Sequence, residues 1–279
     1  MPLDIWFGEQ YIPGMKFSLQ ITKPLFSGQS RFQKIDVIET EAVGRVLLLD
    51  GHIMFSEFDE FIYHEMIVHP ALLAHPDARQ VCVIGGGDGG CIRELLKYPN
   101  LKSIVLCEID EEVIRVCREY FSAMTKSLSD PRVTVNIEDA VDYIGRQRNE
   151  FDAIIGDTID PTGPAVALWE APFFASVKNA LRPNGIFVSQ IESVFSPHGV
   201  IPKVTKTLRS YFKDCRLYGA TIPTYPTGYW NFVWASDGVD PFSVHDGRQK
   251  EIAATCRYYT PEHQRAAFAI PAFSQAYLS

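Results

Sequence analysis

The chain has 279 residues, 46% of them hydrophobic, and a formal net charge of −8. That length allows one large domain plus a small one, and the acidic balance argues against nucleic acid as the main partner. No apolar run is long enough to cross a bilayer, and no basic stretch leading into an apolar one opens the chain, so a cytoplasmic protein without a membrane partner is expected.

The first 57 residues read as a small antiparallel β domain. Lys16–Ile21 alternates polar and apolar residues, and Phe32–Ile38 nearly does. Val43–Leu49 is an apolar run ending at Asp50-Gly51, and Ile53–Phe55 resumes it. Asp-Gly between apolar runs is a hairpin signal. Phe58–Leu73 then reads as a helix, with Phe61, His64, Met66 and Ile67 among the inward positions.

Residues 58–279 make up the second domain. Its strands are predicted at Val81–Ile84, Ser103–Cys107, Val133–Ile137, Ala153–Ile155 and Ile186–Ser189. Helices are predicted at Gly89–Tyr98, Glu111–Phe121, Ala140–Arg146, Pro172–Leu181 and Ile201–Tyr211. This alternation predicts an α/β fold, a Rossmann-like sheet of the methyltransferase type with helices on both faces. Arg216–Ile222 and Trp230–Ala235 would close it as an antiparallel hairpin. The six cysteines form no C-x-x-C pair and mostly fall in apolar or helical runs. They read as buried, reduced thiols rather than disulfides or a zinc site.

Val81–Ile84 runs into Gly85-Gly86-Gly87-Asp88-Gly89-Gly90. Glycines at such a strand-to-helix turn let the backbone approach a ligand closely, and Gly85 and Gly87 are taken as binding positions. A purely structural tight turn is the alternative. Glu108 ends the next strand, where an acid can grip ribose hydroxyls. Asp139 ends the one after, where it can accept a bond from an adenine amino group. Each acid alone reads equally well as a solvated strand end. A dinucleotide needs its pyrophosphate at this turn, and Asp88 would repel phosphate. No Lys or Arg stands in the surrounding windows, so a cationic sulfonium nucleoside fits better.

The strand at Ala153–Ile155 leads into Asp157-Thr158-Ile159-Asp160-Pro161-Thr162-Gly163-Pro164. Two carboxylates thus lie past the C-terminal end of a parallel strand, where open α/β sheets bind ligands. Pro161, Gly163 and Pro164 predict a loop to Trp169, suited to a lid. The plainer reading is a turn in which Asp160 bonds its own backbone. Paired acids suit a cationic amine substrate. An alkylamine with a pKa of about 10.4 is free base in roughly one molecule in 2,500 at pH 7, a cost of about 4.6 kcal/mol. One carboxylate can accept the attacking nitrogen's proton, and a second can hold the distal ammonium. The sulfonium is already a good leaving group, so no metal or cofactor is expected.

Across nearly its whole length the chain resembles the spermidine synthase family of aminopropyltransferases. The resemblance rests on Gly44–Gly51, Asp59–Met66, the GGGDGG turn, Glu108–Asp110 and the Asp-x-x-Asp-Pro-x-Gly-Pro element. Gln190, Ile222–Gly228, Arg257–Pro261 and Ala266–Pro271 extend it. It implies transfer of the aminopropyl group of decarboxylated S-adenosylmethionine to a di- or polyamine, with Asp157 as the base and Asp160 binding the amine. It also implies an amine channel lined by Tyr63, Gln190 and Tyr225. Gln33, His64 and Asp88 would contact the donor's methionine-derived arm. Glu108 would hold the ribose and Asp139 the adenine, with Leu49, Ile109, Pro164 and Ala165 around the nucleoside. Family members are usually homodimers or homotetramers.

Without the resemblance, Tyr63 and His64 read as core residues on a helix. Tyr225 reads as packing in its turn, and Trp6 and Trp230 as core aromatics before channel walls. The family commonly has a small hydroxyl residue where Ile159 stands, and Ile191 follows Gln190; both are expected near the amine channel. Putrescine, giving spermidine, is the leading acceptor. Cadaverine, agmatine or a longer polyamine are alternatives, as are an amine N-methyltransferase using S-adenosylmethionine and a non-catalytic nucleoside-binding protein.

Overall fold

The computed structural model describes residues 4–244 and 246–278. The N-terminal part is a hairpin of β1 (Trp6–Ile12) and β2 (Met15–Gln20), followed by a four-stranded meander. The meander comprises β3 (Lys23–Gln29), β4 (Lys34–Thr40), β5 (Gly44–Leu49) and β6 (His52–Ser56). Asp50 and Gly51 both take positive φ (48° and 80°) between the paired residues Leu49 and His52, the backbone that a two-residue hairpin turn demands. Neither β1 nor β3 was expected. β3 lies at the sheet edge, holds Pro24 and Gly28, and shifts register between Pro24 and Phe26. Those features are tolerated at an edge and erase the alternating signal.

Helix α1 (Glu60–Ala74) is buried from Ile62 to Ala74 on every side, Pro70 included. A helix so enclosed shows no apolar stripe. Of its expected inward residues, Phe61 is the one only partly buried, with the Arg257 guanidinium 3.7 Å from its ring centroid.

The larger sheet contains β7 (Gln80–Gly85), β8 (Ser103–Glu108), β9 (Val133–Ile137), β10 (Phe151–Asp157) and β11 (Leu181–Gln190). β12 (Asp214–Thr221) and β13 (Tyr229–Ser236) complete it in the order β12-β13-β11-β10-β7-β8-β9. β7 to β11 are parallel, whereas β13 runs antiparallel to β11 and to β12. The helices between these strands are α2 (Gly90–Leu95), α3 (Glu111–Tyr120), a one-turn α4 (Ser122–Thr125), α5 (Ala140–Arg146), α6 (Ala171–Ala180) and α7 (Val200–Arg209). The chain leaves β7 toward β8 in one direction and returns to β10 on its other side. Ligand crevices form at such a reversal, outside the C-terminal strand ends. Here it sets Gly85 beside Asp157 as register partners.

The segment expected as a loop up to Trp169 is instead a 3₁₀ helix, Gly163–Trp169. Proline near the first helical position starts such a turn rather than stopping it, and Ala165 and Trp169 bury themselves to hold it. A small core of Ile35, Val37, Leu47, Leu49 and Phe55 with Val113, Val116 and Phe121 joins the β domain to α3. It fixes the β domain over the crevice. The six cysteines are free; Cys256 is partly exposed and the others are buried.

Candidate active site

Gly85 and Gly86 have φ of +73° and +71°, and a Cβ at either would run into Asp157. A Cβ on Gly87 would lie 3.0 Å from Glu108 Oε2. The turn needs glycine both for backbone conformation and for space. Buried Glu108 accepts from Gly87 N (3.1 Å) and Asp110 N (2.9 Å). Burial drives its pKa up to about 7, more than these bonds pull it down. Glu108 lines a cavity together with Leu49, Ile109, Ala165 and Asp139. Asp139 is exposed and caps α5, accepting from Val141 N at 2.8 Å through Oδ1. Capping thus occupies one of its oxygens while the residue still faces the cavity. Gln33 precedes β4 and donates to Asp110 Oδ2 (2.9 Å). The side chain of Pro164 lies outside the described atoms.

Asp157 ends β10, with Oδ2 accepting from the Cys91 thiol at 3.2 Å. Burial first, and then the charge of Asp88, raise its pKa, while His64, Tyr63 and Cys91 oppose the rise. One ligand atom each of Asp157, Asp88 and His64 fall within 4.8 Å of one another. A Cβ on Gly90 would collide with the His64 ring, so the turn also makes room for this imidazole.

A second cavity, of about 520 Å³, is lined by Asp160, Gln190, Tyr225 and Trp230, and by Glu9, Tyr11, His52, Glu192 and His198. The two cavities share Gln33, Leu49, Met54, Tyr63, Thr158, Ile159 and Tyr225 as their common wall. Asp157 faces the first and Asp160 the second. Gln190 Nε2 donates to Thr158 O (2.9 Å) and more weakly to Asp160 Oδ1 (3.4 Å), and its Oε1 accepts from Trp230 Nε1 (3.1 Å). Trp230 is therefore both a buried core aromatic and part of this cavity's wall. Trp6 is neither: it is 54% exposed on the N-terminal hairpin. Burial first, and then Glu192, raise the Asp160 pKa to about 7.

Tyr225 donates to Met54 O at 2.7 Å. Its turn is anchored where Asp59, at the N-cap of α1, accepts from Thr224 N and Oγ1, both at 2.8 Å. Glu65 likewise accepts from the backbone of Arg257, Tyr258 and Tyr259. Ile159 lies on the wall between the cavities, as expected. Ile191 does not: it is fully buried in the core beneath α6 and α7 and lines neither cavity. The alternation of the strand turns Gln190 toward the channel and its neighbor away. Glu9, Tyr11, His52, Glu192 and His198 were not anticipated. Glu9 and Tyr11 sit two apart on β1 and so share a face, a signal hidden because β1 was not recognized as a strand.

Residues 60–246 match the spermine/spermidine synthase domain. The chain belongs to that family. It is an aminopropyltransferase by class, and residues 5–57 match the spermidine synthase tetramerisation domain. It is 41% identical over 273 residues to a polyamine aminopropyltransferase of Caldicellulosiruptor saccharolyticus, covering 98% of each chain. It is 42% identical over 274 residues to one of Moorella thermoacetica, covering 98% of this chain and 96% of that protein. A spermidine synthase in complex with the transition state analogue AdoDATO superposes with a TM-score of 0.95 at 34% identity, covering 98% of this chain and 94% of that one. The Thermotoga maritima spermidine synthase gives a TM-score of 0.91 at 33% identity with the same coverage.

Proposed function

We propose that the protein moves the aminopropyl group of decarboxylated S-adenosylmethionine to putrescine, giving spermidine. The observation that carries this reading is the pair of cavities meeting at one wall, with Asp157 on the nucleoside side and Asp160 on the other. The nucleoside occupies the first cavity, its ribose on Glu108 and its adenine near Asp139, Ile109, Leu49 and Ala165. Asp88, with Gln33 and His64, takes the aminopropyl arm. The diamine lies along Tyr63, Gln190 and Tyr225, with its distal ammonium on Asp160.

Asp157 accepts a proton from the near ammonium. The freed lone pair attacks the carbon next to sulfur, the C–S bond breaks, and its electron pair leaves on a neutral thioether. A carboxylate with an ordinary pKa is a weak base for this, and the burial that raises Asp157 brings it closer to the amine. The step needs no cofactor or metal ion, because the leaving sulfur is already positive. Burial raises the cost of ionizing both Asp160 and Glu192, and Glu192 adds to it for Asp160; a diammonium substrate supplies the charge that both lack.

A longer polyamine is the second reading, favored by Glu9 and Glu192, further carboxylates lining the same cavity as Asp160. Incubating a panel of amines with decarboxylated S-adenosylmethionine, read by product mass, separates the two. Putrescine should give the highest kcat/KM, and the absence of any aminopropylated product would overturn the proposal. Assembly as a homotetramer or homodimer, and a cytoplasmic location, belong to the same reading; sedimentation and cell fractionation test them.

A further inference from the structure

His64 and His69 lie five residues apart on α1, both buried, and their partners give them different charges. The nitrogens of His69 face Glu94 Oε2 (3.0 Å) and the Tyr98 hydroxyl (3.0 Å). A neutral ring satisfies that pair by donating to the carboxylate and accepting from the hydroxyl. His64 Nδ1 lies 2.7 Å from Glu60 Oε2, and its Nε2 lies 3.3 Å from Asp88 Oδ1. Carboxylates accept only, so a neutral ring would aim a lone pair at one of them, and only the imidazolium suits both.

Arg93 completes the chain, gripping both oxygens of Glu60 through its Nη atoms at 2.8 and 2.9 Å and reaching Glu94 Oε1 at 2.8 Å. The guanidinium and the glycine turn belong to the α2 segment, whereas Glu60 and His64 belong to α1. The relay therefore ties the two helices together behind Asp88. Both contacts to Asp88, from His64 and from Gly90 N (2.7 Å), fall on Oδ1. Among the described residues Oδ2 carries no hydrogen bond.

We propose that Glu60 and Arg93 are positioning residues: they hold His64 as an imidazolium that pins one oxygen of Asp88 and leaves the other for the donor's primary ammonium. The donor part rests on the function proposed above. The groups facing the ring are Glu60 on its own helix, Asp88 in the turn and Asp157 at the end of β10. Tyr63 meets the ring edge-on at 5.4 Å. Burial works against the charge of His64, but Asp88 and Glu60 outweigh it and raise the pKa to about 10. Burial likewise opposes the charge on Glu60, and His64 and Arg93 hold that carboxyl down to about 2. Without the imidazolium, Asp88 and Asp157 would face each other uncompensated.

The test combines imidazole NMR titration of the unliganded protein with steady-state kinetics of Arg93→Gln, Glu60→Gln and Arg93→Lys. Wild-type His64 should stay protonated past pH 8.5, a roughly two-unit excess over an unperturbed histidine. In Glu60→Gln, which removes a carboxylate that raises its pKa, the titration should move toward neutrality; Arg93→Gln leaves Glu60 ionized and acts by loosening its position. KM for decarboxylated S-adenosylmethionine should rise about tenfold, the cost of a loosened charge-assisted contact. The amine KM should stay within about twofold of wild type, and Arg93→Lys should recover part of the loss. A wild-type His64 titrating near pH 6.5, or folded Gln variants with unchanged donor KM, overturns the relay. A wild type with charged His64 that fails to bind this donor counts against the proposed function instead.

Discussion

The thiol of Cys91 offers a direct probe of the base, because it donates to Asp157 Oδ2 at 3.2 Å from a fully buried position. A donor to a carboxylate stabilizes the ionized form and lowers its pKa. Replacing Cys91 with alanine removes that donor, so the Asp157 pKa should climb further above its already raised value. A thiol is a weak donor, so the bond is worth about 0.7 kcal/mol, in the range of neutral hydrogen bonds. At 1.36 kcal/mol per unit this shifts the acid limb of kcat upward by about half a pH unit. Turnover below the limb should fall about threefold, while the alkaline plateau stays within about twofold of wild type. The assay is kcat from about pH 6 to 9.5 with both substrates saturating, since kcat reports groups in the bound complex. Cys91→Ser, which keeps a donor, should move the limb back toward wild type. A folded alanine variant with an unmoved or lowered acid limb would refute the contact between thiol and base.

Asp157→Asn should keep donor binding by calorimetry and reduce kcat by about 10²- to 10⁴-fold, the usual range for a lost general base; unchanged turnover would remove Asp157 from that role. Asp160 has a folded-state pKa of about 7 against 3.8 for the unreacted group, so the native state holds its proton longer than the unfolded chain does. Its contribution therefore lowers stability progressively as pH rises between about 4 and 7 and leaves a constant penalty above that. Thermal melts of Asp160→Asn should accordingly lose less stability than wild type over that window, and putrescine should restore wild-type stability at pH 8. Ile159→Ser opens the wall between the cavities, and competition assays should show the ratio of longer polyamine to putrescine turnover rising several-fold. Removing metal ions with a chelator should leave turnover unchanged, because an imidazolium at His64 repels a cation from the cluster near Asp157 that, among the described residues, has metal-ligand spacing.

Much of this was legible in the residue pattern because the site is built from chain segments that sit next to each other by topology. Two strands with glycine or acid at their ends, β7 and β10, had to meet if the sheet was parallel and reversed between them. The hairpin at Asp50-Gly51 followed from turn chemistry. What stayed hidden came from places where packing overrides local pattern. The enclosed α1 has no stripe to read, so nothing in its periodicity separates the charged His64 from the neutral His69; what separates them is Asp88 in the glycine turn on one side and Glu94 and Tyr98, in and just after α2, on the other. β1 exposes Trp6 while burying Glu9 and Tyr11, which reverses the usual sign of the alternation on the side that covers the second cavity. Ile159 and Ile191 show the same limit from the other direction. Each is a bulky residue beside a functional one. Ile159 remains in the channel wall because it follows the strand end, where no neighboring strand turns it into the core. Ile191 hydrogen-bonds Asn231 through its backbone and is drawn into the core below the sheet. A substitution at Ile159 therefore changes the wall between the cavities, whereas one at Ile191 would be felt as lost packing.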